Sequence, residues 1–379
     1  MAMLGATRLG DVNADVRSIV PGRLAWACVP QTALDKCGGV LTQFAGARLF
    51  STDEALVYEQ FFADFGPLKI SMVIKYCRSV QQMLQQAKGD VIVHYCSDHP
   101  HRRVNAAILA CSFAVLVLKR SAEAAYAPFV GCDPPLHPMR DAGFGVCAFQ
   151  LLAIDCVRAV ARASLAGHVD VRTFDVESYE KHERLEHGDC CWVVPGKFLA
   201  FSSPLAAKRE IAPGKFTCSP EDYVPIFRRL GVTCIVRFNK KLYDKRLFTK
   251  AGFRFVDLFY EDGTNPTEAI LQKFIEVCEA ETGAMAVHCK AGLGRTGTNI
   301  GAFMMKHYSY TALETIAWLR ITRPGSIIGP QHQYVVEAEH RLKRQGDAFR
   351  RHQKSGQRPA ANAANAAQLR LPPRHAPTG

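Results

Sequence analysis

Apolar and polar positions fall into the same order twice along this chain. From Val91 the sequence reads VIVHYCSDHPHRRVNAAILACSFAVLVLKRSAEAAYAPF, and from Met285 it reads MAVHCKAGLGRTGTNIGAFMMKHYSYTALETIAWL. Each copy opens with a short apolar run ending in histidine, His94 or His288, as a buried strand would. A polar loop with arginine follows, then an apolar helix, then Ser121 or Thr311 at the head of a second helix. The repeat predicts two domains of one fold. Strands and helices alternate around it, which predicts α/β sheets covered by helices. Ahead of the second copy, Asn265-Pro266-x-Glu268 predicts a helix start, with Asn265 as N-cap and Pro266 at N1. Ala269, Ile270, Phe274, Val277 and Cys278 are expected to form its buried face. Thr311-x-x-Glu314 predicts a capping box. Pro330 opens a last helix through Leu342, on which His332 and His340 are expected at the surface.

These patterns divide the chain into a first domain over residues 1–170, a charged linker helix over 171–190, a second domain over 191–345 and a tail over 346–379. The length of 379 residues suits two domains. The tail is rich in Ala, Asn, Arg, Gln and Pro, has almost no large apolar side chain, and reads as disordered. It also carries most of the net charge of +12, so the basicity says little about the folded domains and does not imply a nucleic-acid partner. No run of eighteen apolar residues predicts a transmembrane helix. The first residues, MAMLGATRLGDVNADV, lack an apolar signal core, which argues for an intracellular protein. The 14 cysteines are scattered singly through apolar segments apart from Cys190–Cys191, as buried thiols in a reducing compartment would be.

One cysteine stands apart. His288-Cys289-Lys290-Ala291-Gly292-Leu293-Gly294-Arg295-Thr296 follows a buried strand and opens onto a helix. Gly292 and Gly294 let backbone N–H groups turn inward, and with the helix N-terminus these make an anion site from residues 290–295. The planar fork of Arg295 suits two phosphate oxygens. The same positive potential favours a thiolate nucleophile at Cys289, and the Thr296 hydroxyl is placed to help the sulfur leave. No Gly-Lys-Ser/Thr is present, so this is not a nucleotide-binding P-loop. The pattern implies transfer of phosphate to cysteine, with no metal or other cofactor. In the first copy Tyr95 stands where Cys289 does and the loop lacks glycines, so that domain is expected to be non-catalytic.

Transfer to sulfur also needs an acid for the leaving oxygen, which then serves as base toward water. Asp262, in Tyr260-Glu261-Asp262-Gly263, is a candidate, and Glu261 and Asp257 compete with it by spacing. Gln331, in GPQHQY, is a candidate for orienting the water.

HCKAGLGRTGT, with DLFYEDGTNP before it and ITRPGSIIGPQ after it, closely resembles the cell-division-cycle-fourteen family of dual-specificity phosphatases. The likeness extends through WVVPGKFLAF, GVTCIVRFNKKLYD and YEQFFADFGPLKISMVIKYC, and spans roughly Tyr58 to Arg344. It implies two tandem domains of dual-specificity-phosphatase fold, the second catalytic, with Cys289 as nucleophile, Arg295 on phosphate and Asp262 as general acid. It also implies substrates made by proline-directed kinases: phosphoserine followed by proline and a downstream basic residue, with phosphotyrosine also accepted. Glu180, Glu183 and Asp189 are the resemblance's candidates for an acidic groove that reads that basic residue. Cell-cycle or cilium control follows by the same resemblance, in nucleus, nucleolus, cytoplasm, centrosome or basal body. Two alternatives stand beside it. A phosphoinositide phosphatase would favour a second loop lysine where Leu293 lies; a phosphoprotein-binding scaffold would lack Cys289 or Arg295.

Overall fold

The computed structural model describes residues 14–36, 47–143, 147 and 149–354. The N-terminal segment before residue 14 and the tail after 354, on which expectations were stated above, lie outside the described residues.

The chain runs through β1 (Asp15–Val20), β2 (Leu24–Val29), α1 (Gln31–Lys36), β3 (Ala47–Ser51), α2 (Ile70–Gln86) and β4 (Val91–Ser97). Helices α3 (Pro100–Leu116), α4 (Ala122–Tyr126), α5 (Ala153–Leu165) and α6 (Val176–His182) follow. Then come β5 (Cys190–Val194), β6 (Phe198–Phe201), β7 (Glu210–Ala212), β8 (Lys215–Phe216), α7 (Pro220–Arg229), β9 (Val232–Arg237), α8 (Arg246–Lys250) and β10 (Arg254–Asp257). The last elements are α9 (Glu268–Ala280), β11 (Ala284–His288), α10 (Gly294–Tyr308), α11 (Ala312–Thr322) and α12 (Gln331–Lys354).

The repeat is visible in the topology. One sheet is ordered β1-β2-β4-β3 and the other β5-β6-β11-β9-β10. Each has an antiparallel edge pair, β1 on β2 and β5 on β6. Each continues in parallel through a central strand, β4 or β11, that is flanked on both sides. A central parallel strand is covered on both faces, which is why VIVHYCS and AMAVH are nearly continuous apolar runs rather than alternating ones. Ser121 and Thr311 cap the second helix of each copy, accepting hydrogen bonds from Ala124 N–H and Glu314 N–H.

The two domains share a core. One apolar cluster runs from Trp26 in β2 to Trp318 in α11, and α11 packs on α5 of the first domain. Polar contacts cross the same boundary: Tyr179 Oη donates to Thr322 carbonyl at 2.7 Å, and His168 Nδ1 meets Tyr310 Oη at 2.9 Å. The first domain is thus a fixed wall beside the second.

Three local expectations change. Helix α9 is capped by Thr267, whose Oγ1 accepts from Ile270 N–H at 3.3 Å, so it starts two residues after Asn265. Its buried face is Leu271, Phe274, Ile275, Val277 and Cys278, a helical stripe that leaves Ala269 exposed. Helix α12 does not stop near Leu342 but continues to Lys354. Gly346, taken as the start of the tail, is where α12 presses on α10: a Cβ there would lie 1.9 Å from the Lys306 carbonyl.

His332 is the third. It is buried at 3% exposure, because the first turn of α12 packs onto Arg320 of α11, whereas His340 is exposed as expected. His332 joins other buried histidines, among them His94, His168 and His288. Burial pushes His94 and His288 down to about 3 and His168 to about 4 from the usual 6.5. Burial and the Arg320 charge push His332 to about 4. Each stays neutral in the fold and takes up a proton on unfolding once pH is below 6.5. Stability from this source is complete above that value and is lost as pH falls toward 4. Each histidine should cost about 2 kcal/mol by pH 5. Urea unfolding at pH 7.5 and 5.0 is expected to show a lower midpoint at 5.0; an unchanged midpoint would mean that these sites accept protons while folded.

Candidate active site

Strand β11 ends at His288 and delivers Cys289 just past the C-terminal end of the sheet's central strand, at 3% exposure. His288 is a brace. Its Nδ1 donates to the Cys289 carbonyl at 2.9 Å, which leaves Nε2 to accept from Tyr243 Oη at 2.7 Å.

The loop from Cys289 to Gly294 has every carbonyl occupied. Cys289 carbonyl is held by His288, Lys290 by Ser203 N–H at 2.9 Å, Ala291 by Arg323 Nη2 at 2.9 Å and Gly292 by Arg323 Nε at 3.0 Å. Leu293 carbonyl accepts from Gly297 N–H at 2.9 Å and Gly294 carbonyl from Thr298 Oγ1 at 2.9 Å. In a trans peptide the N–H points opposite the carbonyl. Pinning the carbonyls of Ala291 and Gly292 outward therefore turns the N–H groups of Gly292 and Leu293 to the other side of the loop. They lie beside the uncapped N-terminus of α10, an arrangement suited to an anion.

Two glycines are required here. Gly292 has φ +71°, and a Cβ there would lie 2.1 Å from the Phe201 carbonyl. A Cβ on Gly294 would lie 2.7 Å from Gln331 Oε1. Gln331 is itself 2% exposed, accepts from Ile328 N–H at 3.1 Å and donates to Thr264 carbonyl at 3.3 Å. It therefore touches the phosphate loop and the Asp262–Thr264 turn at once.

Arg295 is buried. Its Nη1 donates to Tyr260 carbonyl at 2.8 Å, and its Nη2 pairs with Asp262 Oδ1 at 3.1 Å. Tyr260 Oη and Asn299 hold its main chain in turn. Of the three carboxylates that spacing left open, Asp262 is the one beside Arg295. Asp257 is taken by Arg237 at 2.7 Å and Lys245 at 3.1 Å, and Glu261 faces Lys240. The Asp262 side chain is 65% exposed and precedes Gly263 at φ +75°. Thr296 is fully buried, and its Oγ1 has no hydrogen-bond partner among the described residues, so the expected bond to sulfur is not made in this state. Arg295 Nε is likewise buried and unpartnered among them.

The groove acids are each matched by a cation of this chain. Glu180 pairs with Lys75 of α2 at 2.6 Å and Glu183 with Lys69, the residue before α2, at 2.7 Å. Asp189 pairs with Arg323 at 3.0 Å, behind the phosphate loop. Glu59, 80% exposed, stands 3.7 Å from the same Lys69, so Glu59, Glu183 and Lys69 together leave one net negative charge. Phe61, exposed, reaches from the first domain to Gly325, beside Leu293 of the loop.

Arg323, Tyr243, Tyr260 and Asn299 were not singled out by spacing, since each lies outside the loop in sequence. Arg323 had one signal, its place in ITRPGSIIGPQ. Among the described residues no group of three or more His, Cys, Asp or Glu is placed to hold a metal, and no helix is long and apolar enough to cross a membrane. The described cysteines are free thiols, buried apart from the half-buried Cys147.

Two family models match the chain: "Dual specificity protein phosphatase, N-terminal half" over residues 18–163, and "Dual specificity phosphatase, catalytic domain" over 225–339. "Dual specificity protein phosphatase CDC14A" of Mus musculus is 49% identical over 304 residues, covering 79% of this chain and 50% of the relative. "Dual specificity protein phosphatase CDC14C" of Homo sapiens is 44% identical over 322 residues, covering 84% of this chain and 72% of the relative. "Tyrosine-protein phosphatase cdc-14" of Caenorhabditis elegans is 37% identical over 348 residues, covering 88% and 48%. The chain thus spans about half the length of the mouse and nematode relatives.

Proposed function

The chain belongs to the CDC14 family of dual specificity protein phosphatases, with the family's N-terminal and catalytic domains in tandem, and on that premise we propose that it hydrolyses phosphoproteins through a phosphocysteine. The Cys289 thiolate attacks phosphorus and the bond to the leaving oxygen breaks. Asp262 gives that oxygen its proton. Water then attacks phosphorus, the S–P bond breaks, and Asp262 takes the proton of the water. Arg295 and the loop N–H groups stabilise the charge that builds on phosphate. The observation that carries this reading is the loop itself: its carbonyls are all held by donors around it, and Arg295 with Asp262 stands beside it.

The substrate class is phosphoserine followed by proline and a downstream basic residue, the product of proline-directed kinases, with phosphotyrosine also accepted. The exposed Phe61 beside the loop offers an apolar wall, and the net negative charge of Glu59, Glu183 and Lys69 suits a basic side chain. The family membership supports an intracellular role opposing cyclin-dependent kinases in cell-cycle or cilium control.

Phosphate release from matched peptides tests this, with Cys289→Ser as blank: phosphoserine-Pro-x-Lys, the same without Pro, the same without Lys, a phosphotyrosine peptide and a phosphoinositide. Preference for the full peptide is expected. Preference for lipid would keep the cysteine chemistry and overturn the substrate, and no turnover of any of them would overturn the enzyme reading. Asp262→Ala is expected to slow phosphopeptides by about 100-fold or more. It should slow p-nitrophenyl phosphate far less, because nitrophenolate leaves without a proton. Equal slowing of both would assign the acid elsewhere.

A further inference from the structure

The segment between α11 and α12 carries Gln331 to the phosphate loop, and its backbone is not relaxed. Ile327 lies at φ +62°, a left-handed conformation that a β-branched residue adopts only when its surroundings impose it. Gly329 lies at φ +58°. What imposes this shape comes from both domains. In the second domain, Arg320 donates from Nε to Ser326 carbonyl and from Nη2 to Ile327 carbonyl, both at 3.2 Å. Its Nη2 also donates to His332 Nε2 at 2.6 Å, which leaves His332 Nδ1–H to bond the Gly329 carbonyl at 2.7 Å. The first domain supplies the other half. Asp141 Oδ2 accepts from Gly329 N–H at 2.6 Å, and Phe149 stacks on the His332 ring at 4.5 Å. The Gly329 N–H and carbonyl are thus clamped by Asp141 and His332, two residues before Gln331.

Asp141 is suited to this hold. It is 5% exposed, and it stands on a strap joined to the first domain's core by the Phe65–Arg140 and Met139–Leu151 bridges. Burial works against its charge, but the Gly329 N–H, the Cys147 thiol, His332 and Arg320 together keep the carboxyl below its usual range. It touches none of the reacting groups.

We propose that Asp141, on the domain that lacks a catalytic cysteine, is a positioning residue for the second half of the reaction: by holding the Gly329 peptide it keeps the Gln331 amide against Gly294 and Thr264, where it orients the water that cleaves the phosphocysteine. This rests on the Cys289 reading above. The first step, attack of the thiolate on phosphorus, uses Cys289, Arg295 and Asp262 and does not use Gln331, so the two steps respond differently to loss of Asp141. The non-catalytic domain therefore contributes to turnover as well as to the substrate wall.

Rapid mixing of the full chain with p-nitrophenyl phosphate separates the steps, since nitrophenol appears in a burst on phosphorylation of Cys289 and then at the rate of phosphoenzyme hydrolysis. In Asp141→Ala the burst rate constant is expected to stay within about twofold while the steady rate falls about tenfold or more, the loss that a small misplacement of a positioning group brings. Asp141→Asn, whose amide oxygen still accepts the Gly329 N–H, should restore the steady rate. In a Gln331→Ala background the Asp141→Ala change should add nothing further, because both act through one group. Where Asp141→Ala fails to fold, His332→Ala runs the same cycle on the other side of the clamp. A burst and steady rate that fall together, an unchanged steady rate, or additive losses in the double variant would each overturn the proposal. Absence of any turnover by the parent protein would instead overturn the Cys289 reading.

Discussion

Cys289→Ser is expected to leave the fold intact and to reduce phosphate release by about four orders of magnitude or more. The exchange replaces sulfur by oxygen in a site at 3% exposure, so packing changes little. The chemistry changes completely. A serine hydroxyl ionises far above neutral pH, and no base stands ready to take its proton: His288, the adjacent imidazole, has Nδ1 on the Cys289 carbonyl and Nε2 on Tyr243, and burial keeps it neutral. The anion cradle survives, because it is made of backbone and Arg295. The variant should therefore still bind phosphopeptide while failing to turn it over. Isothermal titration and a phosphate-release assay on the same preparation check both halves. Turnover within about tenfold of the parent would show that another group attacks phosphorus.

Arg323→Ala is expected to be the most damaging single change outside the loop. Its guanidinium is 5% exposed and bonds three carbonyls, those of Ala291, Gly292 and Asp189, besides pairing with the Asp189 carboxylate. Removing it leaves the Ala291 and Gly292 carbonyls without that donor and a part-buried carboxylate without a cation. Breaking such a pair costs about 3–5 kcal/mol, of the order of a third or more of the stability of an ordinary domain. The loss should also reach the chemistry, because the carbonyls of Ala291 and Gly292 are then free to rotate inward and present negative ends to phosphate. Urea unfolding should show the loss of stability, and kcat measured on the folded fraction should fall about 100-fold. Arg323→Lys is expected to rescue neither property, since an ammonium on a flexible stem cannot bond two successive carbonyls and a carboxylate at once. A variant that keeps both stability and kcat would mean that the loop holds its own shape.

Arg323 also illustrates how the fold distributes neighbouring carboxylates. Glu180, Glu183 and Asp189 sit close in sequence and read as one acidic stretch. In the fold Asp189 turns behind the phosphate loop to Arg323, while Glu180 crosses to Lys75 of α2 and Glu183 to Lys69 just before it. Sequence distance does not say which cation a carboxylate will meet, and here each met one from a segment at least a hundred residues away. His332 failed as a surface residue for the same reason: its helix face is ordinary, and only the crossing of α11 beneath it made it a buried link to Arg320.

The candidate loop is local, and the sequence alone determined it. A strand, a turn that needs glycine and a helix N-terminus occupy nine consecutive residues, His288–Thr296, and backbone sterics leave that string few other shapes. The repeat was legible for a similar reason, since a buried central strand must be apolar on both faces wherever it occurs. What only the tertiary structure decided are the matters that depend on long-range closure. Spacing left Asp257, Glu261 and Asp262 open; the fold spent two of them on Arg237, Lys245 and Lys240 and brought Asp262 to Arg295. It placed Arg323 behind the loop, Gln331 over it, and Asp141 of the other domain beneath Gln331's segment. Those pairings are set by how two sheets and a shared core pack, and no local preference of the residues involved encodes them.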